Sequence, residues 1–188
     1  AVIPFINMST DPENEYFSDG ITEEILNALV KVEGLQVTSR TSSFAFKGKS
    51  ADVKEIANKL NVQSILEGSV RKSGNKVRIT AQLINAADDF HVWSETYDRN
   101  LEDIFEVQDE ISRKIANTLR EKLTLQQKNE KLIIPATENL EVYNLYLRGK
   151  YHLFKWSPED AKKGMEYLNK VIKMEPDYAP AYSMLYLS

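Results

Sequence analysis

The sequence predicts an α/β domain built on a mixed sheet, followed by an all-α helical segment. Three observations carry that prediction. Short apolar runs alternate with amphipathic stretches over residues 1–62, and period-two alternation dominates residues 63–100. From about residue 124 onward only helical periodicity remains. The element order reads β-α-β-α-β-β-β-α, with helix crossovers joining the first strands and hairpins the last.

The opening "AVIPF" is a short apolar run that reads as a buried strand, and "NMSTDPENEYFSDG" as a polar loop. In "DGITEEILNALVKV" Asp19 is placed to cap a helix, Glu23 and Glu24 sit in its first turns, and Ile21, Ile25, Leu29 and Val32 form its apolar stripe. Gly34 ends it. "LQVTS" reads as a second strand. "DVKEIANKL" reads as a second helix, with Asp52 and Glu55 in capping-box spacing and Val53, Ile56 and Leu60 facing inward. Residues 63–86 form a hairpin, Gly74-Asn75 at its turn, with Val77, Ile79, Ala81 and Leu83 sharing one face. "FHVWSETYDRN" adds a strand after a tight connection at Ala87-Asp88-Asp89. "LEDIFEVQDEISRKIANTLREKL" is a long helix whose stripe is Ile104, Val107, Ile111, Ile115 and Leu119.

The domain expected over 1–124 is followed by a linker over 125–138, marked by Pro135 and the loss of any period, and by helices over 139–188. Both ends of the chain read as cuts within a longer protein, the first inside a strand and the last inside a helix.

Composition excludes several functions. With 42% hydrophobic and 28% charged residues the chain is ordinary globular protein, and no apolar run approaches a membrane span. The absence of cysteine excludes disulfides, thiolate chemistry and cysteine-ligated zinc. The net charge of −4 hides a segregation: residues 1–30 hold six acids and no base, 31–78 ten bases and four acids, 79–110 nine acids and one base. Opposite blocks lying side by side on the folded surface explain this, and a basic face for an anionic partner is the alternative. No nucleic-acid motif accompanies it, so no nucleic-acid contact is expected of this chain.

The stretch "SRTSSFAFKGKS" is where a small anion would be held. Arg40, Ser43 and Lys47 offer a guanidinium, a hydroxyl and an ammonium beside Ser/Thr-rich backbone. The competing reading is a polar loop with Phe44 and Phe46 as core anchors, since only Gly48 is present where a phosphate loop needs several glycines. No catalytic constellation is expected: His91 and His152 lie in different predicted domains, and no Walker loop or nucleophile elbow occurs. No metal site is expected either. Counted from Asp11, the sixth and twelfth positions of a calcium loop would be Tyr16 and Thr22 rather than Gly and Glu. No cofactor is implied. In the helices, Tyr143, Tyr146, Tyr151, Trp156 and Tyr182 are candidates for contacts to a protein or peptide partner, with a helical core as their other role.

Two resemblances add to this reading. Gly164, Leu168, Val171 and Pro176, followed by Tyr182 and Leu185, resemble a tetratricopeptide (TPR) repeat, although "LRG" departs from the pattern of its first helix. The segments "IPFINMSTDPENEYFSDGITEEILNAL", "SRTSSFAFKGK" and "LEGSVRKSGNKVRITAQLINAADDFHVWSETYDRNLEDIFEVQDEI" together resemble the TolB amino-terminal-like domain of bacterial signalling proteins. That resemblance implies a non-catalytic sensory or interaction module. Its effector would be an adenylate or guanylate cyclase, a CadC-like DNA-binding domain or a kinase elsewhere in the chain. It also implies a periplasmic position behind a membrane helix, with a cytoplasmic one as the alternative. A scaffold without sensing, or a part of a cyclase polypeptide, are the other functions the resemblance allows. Signalling effectors commonly act in pairs, which opens a homodimer, but no sequence feature demands one.

Overall fold

The computed structural model describes residues 1–122 and 131–186; side chains are described for all of these except 120–122. The chain divides into two compact units, Ala1–Ile133 and Ile134–Ser188. Of the linker expected over 125–138, residues 125–130 lie outside the described residues.

In the first unit the opening segment runs parallel to a later strand. Strand β1 (Ile6–Asn7) follows an isolated bridge from Val2 to Leu66, and Ile3 and Met8 donate their N–H groups to Leu66 and Val70 carbonyls at 2.8 Å. A 3₁₀ turn at Pro12–Asn14, capped by Asp11 (2.9 Å to the Glu13 N–H), leads into α1 (Glu15–Val30). The helix therefore begins a full turn before Asp19, which lies inside it rather than at its cap. Helices α2 (Arg40–Phe44) and α3 (Val53–Leu60) follow, the latter capped by Asp52 at 2.7 Å from the Glu55 N–H.

Strands β2 (Ser64–Ser73), β3 (Lys76–Asn85) and β4 (Phe90–Asn100) complete an antiparallel meander, and the sheet order is β1-β2-β3-β4 with only β1–β2 parallel. Gly74 (φ +56°) makes the β2–β3 turn and Asp89 (φ +64°) the next. Helix α4 (Ile104–Lys122) packs back on β3, β4 and α1.

The strand expected at "LQVTS" is absent, so three helices and no strand separate β1 from β2. A β-branched run fits any half-buried surface and does not by itself supply a ladder partner. Gln36, Val37 and Thr38 make no hydrogen bond among the described residues. Within the stretch read as a polar loop, residues 39–50, Arg40–Phe44 wind instead into α2, whose Ser39 cap accepts from the Ser42 N–H.

Strand alternation divides the core. Leu66, Val70, Val77, Ile79, Ala81 and Leu83 face α1 and α4, where Phe17, Ile21, Ile25, Ile104, Ile111 and Ile115 are fully enclosed. Ile65 points the other way and packs on Ile56 and Ala57 of α3. The sheet thus has helices on both faces. Beyond α3, polar pairs take over the outer face: Arg78 grips Asp98 with two hydrogen bonds (2.6 and 3.0 Å), and Thr80 meets Thr96 at 3.0 Å.

The second unit is a helical hairpin, α5 (Leu140–Leu153) and α6 (Pro158–Met174), with α7 (Ala179–Tyr186) against α6. Gly149 and Gly164 let α5 and α6 touch. A Cβ at Gly164 would stand 2.9 Å from the Gly149 carbonyl oxygen and 2.8 Å from Leu153. Asn139 and Ser157 cap the two helices.

Gly68 on β2 leaves no room for a side chain. A methyl there would overlap the Thr80 carbonyl oxygen and come within 3.0 Å of the Phe5 ring. Overpacking against backbone in a dense core costs about 3 kcal/mol. Gly68→Ala is expected to lower the urea-unfolding free energy of the chain by about that amount, whereas a change below about 0.5 kcal/mol would show that this approach is not tight.

Candidate functional site

Helix α1 carries carboxylates at Glu15, Asp19 and Glu23, spaced i, i+4, i+8 and so stacked on one stripe. The segment that returns from α1 brings its cations onto that stripe. Lys47 Nζ lies 2.7 Å from Glu15 Oε1 and 2.6 Å from both Asp19 oxygens. Arg40 Nε donates to Glu23 Oε2 at 2.9 Å, and its guanidinium rests 4.0 Å above the Phe44 ring. Asp19 and Glu23 are almost fully buried. Burial works against the Lys47 ammonium, but its hydrogen bonds to Asp19 and Glu15 outweigh it and hold the group above the ordinary lysine range.

Arg40, Ser43 and Lys47 are therefore brought together along α2 and the turn after it, and three carboxylates already stand against the two cations. An incoming anion would meet a net negative cluster. Ser43 is fully buried and its hydroxyl has no hydrogen-bond partner among the described residues, as is true of Ser18 on α1. The cluster fastens the crossover to α1. Its acidic half was visible in the sequence only as the charge asymmetry between residues 1–30 and 31–78, because its partners lie 17 and 28 residues apart.

The five aromatic candidates of the helices separate into two groups. Tyr143 and Tyr146 are core, the latter meeting Tyr178 edge-on at 5.3 Å, and Tyr151 is half-buried under the Lys155 ammonium at 4.4 Å. Trp156 is 84% exposed and Tyr182 is 47% exposed, the Tyr182 hydroxyl donating to the Pro176 carbonyl at 2.8 Å. Trp156 also holds φ +55°, a left-handed conformation that is unfavourable for a bulky side chain. Nearby, Asp160 accepts from Ser157 (2.6 Å) and meets His152 Nδ1 (2.7 Å). Its carboxyl is held below the usual range by Ser157 first and His152 second. Both partners bond the carboxylate rather than each other, which makes a helix-start brace and not a nucleophile–base pair. Among the described residues no group of three or more His, Asp or Glu is placed to hold a metal.

Comparison with known proteins places this geometry. The family model of the HilA/YgeH-like transcriptional regulator, second domain, matches residues 1–114. The chain belongs to that family. A Rhizobium meliloti (strain 1021) protein named "Putative adenylate cyclase 3" is 44% identical to it over 185 residues, covering 98% of the chain and 31% of that relative. The chain thus spans about a third of the relative's length. Solved structures similar to this HilA/YgeH-like chain are lipoprotein GNA1162 of Neisseria meningitidis (17% identity, 53% of this chain and 77% of that one, TM-score 0.44) and the LpoB C-terminal domain of Salmonella enterica (20%, 53% and 80%, 0.42). TolB of Acinetobacter baumannii is a third (12%, 64% and 27%, 0.44). These likenesses are partial and carry nothing about function.

Two outcomes are expected. Lys47→Met should cost about 2 kcal/mol at pH 7, between the exposed and fully buried limits for an ion pair. Because the folded pKa of Lys47 lies above its ordinary 10.5, that contribution is complete below 10.5 and is lost as pH rises through the folded value. The gap between wild type and variant in chemical unfolding should therefore close only at strongly alkaline pH; a gap that closes below pH 9 contradicts the clamp. Trp156→Gly should leave thermal stability unchanged or raise it by up to about 1 kcal/mol, since glycine accepts the left-handed backbone. A loss of more than about 1 kcal/mol would make the indole a packing element instead.

Proposed function

We propose that the chain is a non-catalytic sensory and interaction module of a signalling protein, acting on an effector domain elsewhere in the same polypeptide. The observation that carries this reading is the combination of its matches. Residues 1–114 belong to the second domain of a regulator family, and almost the whole chain aligns within one third of a protein named as a cyclase. A regulatory segment inside a larger effector polypeptide has that footprint. In this reading the effector is a nucleotide cyclase or a DNA-binding domain.

The helical unit serves as the partner-binding part. Its buried Gly164, Leu168 and Val171 seam, with Pro176 after α6, fits a tetratricopeptide-like repeat. The exposed Trp156 and Tyr182 are the side chains offered to a protein or peptide. A scaffold without sensing is the second reading, favoured by those same two exposed rings.

The test uses the parent protein and its effector assay. The isolated chain is expected to turn over no ATP or GTP, and removal of the region equivalent to residues 1–133 from the parent should change cyclase output several-fold while the catalytic domain stays folded. Nucleotide turnover by the isolated chain, or an output indifferent to the deletion, would contradict the proposal; indifference together with loss of a captured partner on removing residues 134–188 would establish the scaffold.

A further inference from the structure

Residues 34–38 of the crossover form one wall of a groove of about 800 Å³ in the first unit. Its floor is aliphatic: Leu29 of α1, Leu66 and Leu83 of the sheet, and Ile115 and Leu119 of α4. Its rim carries six neutral hydrogen-bonding side chains, Gln36, Thr38, Asn58, Asn61, Gln63 and Ser64. None of the six side chains makes a hydrogen bond among the described residues, and the backbone groups of Gln36, Val37 and Thr38 are equally uncommitted. No charged and no aromatic side chain is among the described lining residues, in a chain where 28% of residues are charged. The one ionisable group among them is the Ala1 amine, which donates to the Ser64 carbonyl at 2.7 Å and which burial lowers to about 6, so that it is largely uncharged above neutral pH.

Each of these features selects a ligand. The volume suits a small molecule rather than a protein surface. The described lining offers an anion or cation no charged side chain, and its one amine is already bonded to the Ser64 carbonyl, so an ion placed among these residues would bear a largely uncompensated desolvation cost. The missing aromatic platform leaves aliphatic contact as the apolar term. Carboxamides and free backbone groups pair donor to acceptor with other amides. We infer that this groove binds an uncharged, amide-bearing ligand with an aliphatic body, such as a blocked short peptide.

The site has a route to the rest of the chain. Its wall, residues 34–38, runs directly into α2 and the Arg40–Glu23 and Lys47–Asp19 clamp, and its floor includes the last described side chains of α4. Occupancy would hold the wall against the opening residues Ala1 and Val2 and load α4, whose Asp109 accepts hydrogen bonds from Leu132 and Ile133 at the end of the unit. The inference therefore rests on the regulatory reading for its consequence, although not for the existence of the site.

The experiment is a titration of the 188-residue chain, followed by ¹⁵N–¹H spectra that include side-chain amides. The probes are N-acetyl-leucyl-leucinamide, its free-acid analogue and its free-amine analogue, which share one body and differ in charge. The neutral probe should give saturable shifts at the amides of Gln36, Asn58, Asn61 and Gln63, with each charged analogue at least tenfold weaker. Asn58→Leu and Gln63→Leu, at exposed positions that leave the fold intact, should each weaken the neutral probe severalfold. Absence of saturable groove shifts, equal binding of the free acid, or unchanged affinity in both variants overturns the site. The same probe added to the parent protein separates the two claims. Binding without a change in effector output keeps the site and removes the regulatory reading. Output sensitive to deletion of the first unit, with no binding, does the reverse.

Discussion

Parallel pairing of β1 with β2 is the constraint on which the first unit depends. Strands that run the same way cannot be joined by a tight turn, so everything between Asn7 and Ser64 must leave the sheet, cover it and return. The chain meets that demand by wrapping both faces. Helix α1 takes the face shared with α4, where Phe5, Phe17 and Ile21 close the core, and α3 takes the other over Ile65. Between those two helices Val32 is buried and Phe46 and Ala51 pack beside Ile56 and Ile65, and electrostatics adds to that packing. The stripe Glu15, Asp19 and Glu23 is the surface onto which α2 and its following turn are pulled. A segment held by charge at one end and unbonded at the other is suited to moving, whereas a meander whose every strand is laddered is not.

Much of this was legible in the residues because it is local. The β2–β3 hairpin is fixed by strict alternation around Gly74-Asn75, and its predicted face (Val77, Ile79, Ala81, Leu83) is the buried one. The Asp52 cap of α3 and the stripe of α4 follow from spacing alone. What failed was non-local. "LQVTS" carries the composition of a strand, but a strand needs a neighbour, and nothing in five residues specifies whether one comes within reach. Asp19 looked like a cap because the chain before it is polar. It is instead held by Lys47, 28 residues later, and the turn at Pro12 begins the helix sooner.

The candidate site shows the same division. Arg40, Ser43 and Lys47 were identifiable as a cationic, hydroxyl-rich cluster, but whether it faces solvent or an internal carboxylate is decided by how α1 and α2 pack. The aromatics of the helices divide for a similar reason. Helical spacing marks Tyr143 and Tyr146 as readily as it marks Trp156, yet only the last lies on a left-handed loop residue in water. The groove was invisible in the sequence, since its described lining comes from six separate stretches whose side chains share only their lack of charge.

The central claim is that the sheet is a fixed scaffold and the crossover between α1 and α3 its responsive part. Native-state hydrogen exchange on the chain measures this directly. The account predicts that amides of residues 36–38, which make no hydrogen bond among the described residues, exchange at least about a hundredfold faster than those of β2 and β3, through local openings that leave the sheet intact. Equal protection of the crossover and the hairpin, with both opening only on global unfolding, would contradict it.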